Sequence, residues 1–241
     1  MNNSSNTEIE TLPKFVIIGS CGDGKSSIIK ALIKEGEECP EAGWDADGIT
    51  KDIRPYKTSN GMLLLDTMGI GDAHKGINQL VAGLAKVLEE VKVDGIVVTT
   101  TATSGRFGLA CQVVEQIIEN GIVRNTDGIG PWERIIICGT QRDRCIGGEM
   151  EGFKSLIAPK FFRNKPIYEV KKWQITTSTT KTDNGMDDLK ECMGRMVGEA
   201  NSSGQCGILW DKNLNLSDMA RCLSQITGGD AELAQADLEF A

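Results

Sequence analysis

A glycine-rich segment at residues 19–26 has the residue types and spacing of a phosphate-binding loop. It reads Gly-Ser-Cys-Gly-Asp-Gly-Lys-Ser, which matches GxxxxGK[ST], and it stands between an apolar run and a helical pattern. Glycines let backbone N–H groups turn inward around phosphate oxygens, Lys25 can approach the β- and γ-phosphates, and Ser26 can place its hydroxyl on Mg²⁺. The predicted nucleotide-binding residues of this segment are Gly19, Cys21, Gly22, Asp23, Gly24, Lys25, Ser26 and Ser27.

A second set of residues predicts the metal and γ-phosphate contacts. Asp66 follows an apolar strand pattern 40 residues after Ser26, and a carboxylate there can hold Mg²⁺ through water. The N–H of Gly69 would meet the γ-phosphate. A threonine between the two motifs must close over Mg²⁺, and we expect Thr50 rather than Thr58, which lies too near the next strand. The predicted metal ligands are Ser26, Thr50 and Asp66.

A third motif, Thr-Gln-Arg-Asp at residues 140–143, predicts base recognition. Guanine presents N1–H and N2–H₂ as donors on one edge, and a carboxylate such as Asp143 accepts both, whereas adenine lacks this pair. Arg142 can lay its aliphatic stem over the base, and backbone N–H groups at 176–179 can meet guanine O6. The alternative is a surface turn with one Asp. The predicted base-binding residues are Thr140, Arg142 and Asp143.

The elements that must position these residues alternate between strands and helices. Such alternation indicates an α/β fold with a mostly parallel central sheet and helices on both faces. Together with the three motifs above, it predicts a P-loop NTPase with a TRAFAC-type G domain. We expect a mobile tail at 1–12, the G domain at 13–200, and a linker with a short helical extension at 201–241. Strands are predicted at 14–19, 48–57, 62–67, 94–104, 134–140 and 173–179, and helices at 24–38, 76–92, 109–121, 148–158, 186–200 and 216–226.

Composition excludes several other classes of function. Lys and Arg total 26 against 34 Asp and Glu, and this net charge of −8 disfavours nucleic acid or an anionic membrane as the main partner. The eight cysteines form no CxxC pair and the chain has one histidine, so we expect reduced thiols rather than zinc or disulfides. Neither a signal peptide nor a transmembrane run is evident, which predicts a cytoplasmic protein.

Three motifs together resemble the AIG-type GTPases, which include the GTPases of immunity-associated proteins and the related Toc chloroplast import GTPases. Thr-Ser-Gly-Arg-Phe-Gly at 103–108 resembles the Gly-Arg-aromatic box of that family and lies, as there, between the motifs at 66–69 and 140–143. The resemblance covers roughly 14–200. It implies GTP or GDP with Mg²⁺ as cofactors and a nucleotide-dependent homodimer or oligomer. It also places Arg106 of the box near the nucleotide face.

The sequence therefore predicts a guanine-nucleotide-binding switch with slow GTP hydrolysis. Ile70 follows Gly69 where Ras-like enzymes use a Gln to orient water, and the lone His74 is more often a solvated loop residue than a substitute. Lys25, Thr50 and Arg106 are the predicted catalytic residues, although Arg106 could instead cap a strand end or pair with a surface carboxylate. Two alternatives stay open: a non-hydrolysing GTP or GDP scaffold, and a P-loop small-molecule kinase. No motif indicates the effector protein.

Overall fold

The fold is taken from a computed structural model of the chain. It describes residues 12–33, 36, 54–67, 69, 92–104, 109–119, 121, 123–125, 131–147, 149–162, 174–179, 185–202, 208–210, 221 and 224.

A six-stranded sheet forms the centre of the protein, and five of its strands are parallel. The strand order is β2-β3-β1-β4-β6-β7, and only β2 runs antiparallel, against its neighbour β3. Continuous apolar runs make the inner strands, because helices cover both faces of a parallel sheet. The strands are β1 Lys14–Gly19, β2 Arg54–Lys57, β3 Leu63–Asp66, β4 Gly95–Thr101, β6 Ile135–Thr140 and β7 Ile175–Thr177.

Four described helices pack on the sheet in two layers. Helices α2 and α3 bury their apolar residues against one face, and α1 and α4 bury theirs against the other. Successive side chains of β1 point to opposite faces of the sheet and so contribute to both cores. Val16 and Ile18 pack with α2 and α3, and Phe15 and Ile17 pack with α1 and α4. The helices are α1 Lys25–Leu32, α2 Leu109–Glu119, α3 Glu149–Phe161 and α4 Met186–Ser202.

This architecture confirms the predicted α/β class with helices on both faces of a mostly parallel sheet. Two helix ends differ from expectation. Helix α1 ends at Leu32, not at residue 38, because Ile33 is extended and bridges Thr58 beside β2. Helix α3 continues beyond residue 158, through Pro159, because Phe161 and Phe162 pack edge-to-face on Trp132.

Several other predicted bounds shift or cannot be compared. The strand expected at 94–104 ends at Thr101 and continues as a 3₁₀ turn, and the strand expected at 173–179 is only three residues long. The helix predicted at 76–92 lies outside the described residues, except for Lys92, which is not helical. So does the one at 216–226, except for Arg221 and Ser224, which are helical.

A small second sheet was not predicted. Strand β5, Val123–Asn125, pairs antiparallel with β8, Ile208–Trp210. Ile208 also bridges Val93, the residue that leads into β4, and is fully buried with the core of α2 and α3. The segment expected to be a linker therefore returns to the sheet, while the domain boundaries stay a prediction.

Among the described cysteines, which are all free thiols, Cys111, Cys138 and Cys192 are buried, whereas Cys21 is exposed. Burial raises the pKa of Cys138 to about 12 and that of Cys192 to about 11, which keeps both protonated near neutral pH. In the part of the chain that the structure describes, no helix combines the length and the apolar character that crossing a bilayer requires.

A glycine in β6 gives a test of the packing against α3. A Cβ built on Gly139 would lie 2.6 Å from Cε1 and 2.9 Å from Cζ of Phe153. We expect Gly139→Ala to lower the free energy of unfolding by about 1–3 kcal/mol through overpacking. Chemical denaturation measures the change, and Phe153→Leu in the same chain should recover part of it.

The same substitution at Gly198 is the matched control. This glycine lies on α4, and a Cβ there meets nothing within 4 Å. Gly198→Ala should stabilise the protein by up to about 1 kcal/mol, because alanine favours helix. Equal effects at Gly139 and Gly198 would contradict the overpacking argument.

Candidate functional site

The predicted motifs converge at one edge of the sheet. Strands β1, β3 and β6 are parallel, and they end at Gly19, Asp66 and Thr140. The carboxyl ends of parallel strands meet at the same edge, which is where α/β proteins bind ligands. Thr58 lies instead in the turn before β3, at the opposite edge, where it hydrogen-bonds Asn60 and Met62. Thr58 thus lies away from the edge where the motifs meet, and the assignment of Thr50 as the metal ligand stays a prediction.

The loop between β1 and α1 has a backbone that only glycine adopts easily. Gly22 and Gly24 both have φ of 82°, in the left-handed region. A Cβ on Gly19 would overlap the hydroxyl of Thr99, which donates to the Ile18 carbonyl at 3.2 Å. Thr99, on the neighbouring strand β4, thus packs directly against the start of the loop.

Lys25 is held by carbonyl oxygens of the loop. Its side chain is buried, and Nζ donates to the carbonyl oxygens of Gly19 at 3.1 Å and Ser20 at 3.2 Å. It is also the first residue of α1, where the initial N–H groups have no intrahelical acceptor. A fixed cation at the N-terminus of a helix is an arrangement that favours anions.

Ser26 and Asp66 lie together as a pair of oxygen ligands. The hydroxyl of Ser26 donates to Asp66 Oδ2 at 3.3 Å, and Asp66 is fully buried at the end of β3. Thr67 Oγ1 donates to the Ile17 carbonyl at 2.6 Å and fixes the path of the chain beyond β3. A hydroxyl beside a carboxylate is an oxygen donor set that suits Mg²⁺, so these two residues would hold that ion.

Gly69 lies against the phosphate-binding loop. A Cβ at this position would come within 3.0 Å of Cys21 Cα and 3.1 Å of Cys21 N. Cys21 itself is exposed. The chain after Asp66 can therefore approach the loop this closely only with glycine at residue 69.

The Asp23 carboxylate is built into the loop. Oδ2 accepts a hydrogen bond from the Ser20 N–H at 2.8 Å, and Oδ1 accepts one from the Thr101 hydroxyl at 3.2 Å. Burial raises the pKa of Asp23, and the hydrogen bonds from Ser20 and Thr101 and the charge of Lys25 oppose that rise. The backbone N–H of Asp23 donates to the Ser20 carbonyl at 3.1 Å, so it acts within the turn.

Asp143 and the segment after β7 meet at the far end of the same edge. The buried Thr179 donates to Asp143 Oδ1 at 2.6 Å, while Asp143 itself is exposed. The Arg142 N–H donates to the Ser178 carbonyl at 3.1 Å, and the Ser178 N–H donates to the Gly139 carbonyl at 2.9 Å. The residues that follow β6 and β7 are thus joined by backbone and side-chain bonds.

The two other residues of the Thr-Gln-Arg-Asp motif assigned to the base make contacts within the protein. Thr140 is buried and donates to the Thr100 carbonyl at 3.3 Å. Arg142 Nη1 lies 3.6 Å from Asp188 Oδ2 on α4. Their assignment to the base stays a prediction.

Sequence reasoning missed Gln141. It has φ of 56°, and its Nε2 donates to the Gly22 carbonyl at 3.4 Å, while Arg144 donates to its Oε1 at 2.9 Å. Gln141 therefore connects the Asp143 motif to the phosphate-binding loop. The available signal was the position of Gln141 within the Thr-Gln-Arg-Asp motif, but that motif was interpreted only through its threonine, its arginine and its carboxylate. Thr101 was likewise missed because it only ends an apolar strand.

Four residues named in the sequence analysis lie outside the described residues: Thr50, Ile70, His74 and Arg106. Ser27 lies in the first turn of α1, half-buried beside Ser26.

Comparisons with known proteins agree with this geometry. The family model of the 50S ribosome-binding GTPase matches residues 14–125. Toc33 from Arabidopsis thaliana, in complex with GDP and Mg²⁺, has a TM-score of 0.58 and 13% identity, over 86% of this chain and 90% of Toc33. No curated protein matches the chain.

The fold is that of a P-loop NTPase of the G-domain class. Era from Aquifex aeolicus, bound to GDP and AlF4⁻, aligns with a TM-score of 0.53 and 20% identity, over 77% of this chain and 56% of Era. The bacterial selenocysteine-specific elongation factor EF-Sec aligns with a TM-score of 0.53 and 14% identity, over 78% of this chain. The chain spans only 29% of that factor's length. The family match supports a GTPase family and guanine-nucleotide binding.

Lys25 provides the first test of the anion site. We expect Lys25→Ala to weaken the binding of a nucleoside triphosphate on the order of 100-fold or more. The substitution removes the buried cation that would make charge-assisted hydrogen bonds to the phosphate oxygens. Isothermal titration calorimetry measures the affinity. Lys30→Ala, which removes an exposed lysine from the same helix, is the control and should bind as the wild type does. An unchanged affinity in Lys25→Ala would contradict the phosphate-binding assignment.

Proposed function

We propose that this protein is a guanine-nucleotide-binding switch that requires Mg²⁺ and hydrolyses GTP slowly. The observation that carries the proposal is the joining of three parts at one edge of the sheet: the buried Lys25, the Ser26–Asp66 pair and the Thr179–Asp143 pair. They correspond to the phosphates, the metal and the base of one ligand. The match of the GTPase family model to residues 14–125 supports it.

Guanine selectivity rests on the carboxylate of Asp143. Thr179 donates to one of its oxygens, so that the carboxylate is oriented and keeps acceptor capacity for the two guanine donors. Adenine would present no such pair of donors. A guanine site is therefore the chemical use that best explains an exposed carboxylate held by a buried threonine.

The same proposal extends to the resemblance to AIG-type GTPases, to a cytoplasmic location and to a homodimer that depends on the nucleotide. Toc33, which is similar in fold, has also been crystallised as a dimerisation-deficient mutant with an arginine replaced by alanine. In this chain Arg106 is the corresponding candidate from the sequence motif.

Two measurements separate the switch from the other candidate functions. Calorimetry with GTP, GDP and ATP, with and without Mg²⁺, tests selectivity, and a small-molecule kinase would prefer ATP. Phosphate release from GTP by the purified chain tests turnover. Tight GTP binding without any phosphate release would favour the non-hydrolysing scaffold.

Asp143→Asn tests base recognition. We expect a loss of about 10- to 100-fold in GDP affinity, because an amide NH₂ would then face the guanine N1–H donor. Xanthine carries a carbonyl in place of the guanine amino group, so the variant should bind xanthosine diphosphate better than the wild type does. Competition with a fluorescent GDP measures both affinities.

Asp187→Asn, an exposed substitution of the same kind on α4, is the matched control. It should leave both affinities as in the wild type. Equal binding of ATP and GTP by the wild type, or an Asp143→Asn variant with unchanged preference, would contradict the guanine site.

Arg106→Ala tests whether a second copy of the chain completes the catalytic site. Ile70 supplies no group to orient water, so a guanidinium from a partner subunit would have to stabilise the γ-phosphate charge, an effect of about 10³–10⁵ in rate. Specific GTPase activity should then rise with protein concentration as dimers form. Arg106→Ala should abolish that rise and change GTP affinity by no more than a few fold.

Arg195→Ala, on an exposed turn of α4, is the control and should retain the concentration dependence. GTP turnover that is independent of protein concentration in the wild type, or an Arg106→Ala variant as fast as the wild type, would contradict catalysis by a second subunit and favour a monomeric switch.

A further inference from the structure

The carboxylate of Asp23 stands inside a loop that otherwise attracts anions. Its side chain lies between the N–H of Ser20 and the hydroxyl of Thr101, at 2.8 Å and 3.2 Å, and the residue is only 9% exposed. The surrounding backbone N–H groups and Lys25 would meet the negative charge of phosphates. A buried carboxylate in this place adds negative charge where the ligand brings its own.

The geometry that Asp23 maintains does not require a charge. An asparagine oxygen can accept the Ser20 N–H, and its NH₂ group can donate to the Thr101 hydroxyl, since a hydroxyl is both donor and acceptor. Both bonds of the loop would thus survive in a neutral side chain of the same shape. The charge therefore has an effect on the ligand that is separable from the structural role of the residue.

Solvent screens this charge poorly, because the carboxylate is almost entirely buried. Lys25 attracts it, as the charge of Lys25 lowers the pKa of Asp23, so that part of the positive potential meant for phosphate is offset within the loop. Thr101 ends β4 beside Thr140 of β6, which ties the carboxylate to the sheet. It cannot move away when phosphates enter unless these bonds break.

We propose that Asp23 lowers the affinity of the site for nucleotide and speeds nucleotide release through the charge of its carboxylate. This inference rests on the proposed function, since it concerns the same nucleotide site. The carboxylate of Asp23 would thus set the nucleotide affinity below, and the release rate above, the values that a neutral side chain in the same loop geometry would give.

The test compares the wild type with Asp23→Asn in the full chain with Mg²⁺. Affinity for GDP is measured by calorimetry, and the release rate is measured with a fluorescent GDP chased by unlabelled GDP. We expect Asp23→Asn to bind GDP about tenfold more tightly or better, mainly through slower release. A merely structural role would give weaker binding, the opposite sign.

Two further variants isolate the charge. Glu151→Gln removes one negative charge from an exposed position on α3, and it should leave GDP affinity unchanged. Thr101→Val keeps the Asp23 charge but removes one of its hydrogen bonds, and it should not tighten binding. Asp23→Ser, which is neutral and retains an acceptor for the Ser20 N–H, replaces Asp23→Asn if the latter unfolds below the assay temperature.

The outcomes distinguish this inference from the proposed function. If the wild type binds neither GDP nor GTP, the proposed function itself is wrong. If the wild type binds GDP and Asp23→Asn binds it equally or more weakly, only the inference about Asp23 is overturned. Equal tightening by Asp23→Asn and Thr101→Val would also overturn it, because loosening of the loop would then explain the effect.

Discussion

The fit of a glycine-containing turn around one buried cation, Lys25, is the constraint on which the rest of this site depends. Residues 19–26 can form that arrangement only with glycine at two left-handed positions and with Lys25 held by the carbonyls of Gly19 and Ser20. The neighbouring elements are shaped to fit closely around this loop. Thr99 leaves no space for a side chain at Gly19, and Cys21 leaves none at residue 69.

The loop is connected to the rest of the site through groups that are not themselves expected to touch phosphate. Gln141 reaches the Gly22 carbonyl from the end of β6, and Thr101 reaches Asp23 from the end of β4. Each contact joins the loop to a different strand of the sheet. Gln141 thus links the loop to the segment that carries Asp143, the carboxylate predicted to read the base, which lies two residues further along the chain.

The sequence was sufficient to predict the inner strands and the motifs at their ends, because a continuous apolar run such as residues 62–65 has few alternatives to a buried strand. It was insufficient where a tertiary contact decides the outcome. Helix α1 stops at Leu32 because Ile33 pairs with Thr58, and no local signal marks that pairing. Strands β5 and β8 are three residues each, too short for periodicity to reveal. Gln141 escaped notice because its role depends on an unusual backbone angle rather than on its residue type.

The close contact of Gly69 with Cys21 bears on how such a site would act as a switch. The chain enters this contact directly after Asp66 and Thr67, both of which are fully buried and fixed by hydrogen bonds to Ser26 and to the Ile17 carbonyl. The chain therefore leaves β3 from two residues that are buried and hydrogen-bonded to the neighbouring elements. A Cβ at residue 69 would lie 3.0 Å from Cys21 Cα, closer than ordinary van der Waals contact, so a side chain there would push the chain after β3 away from the loop. The N–H of Gly69, predicted from the sequence to meet the γ-phosphate, therefore belongs to a residue that can come this close to the loop only because it lacks a side chain.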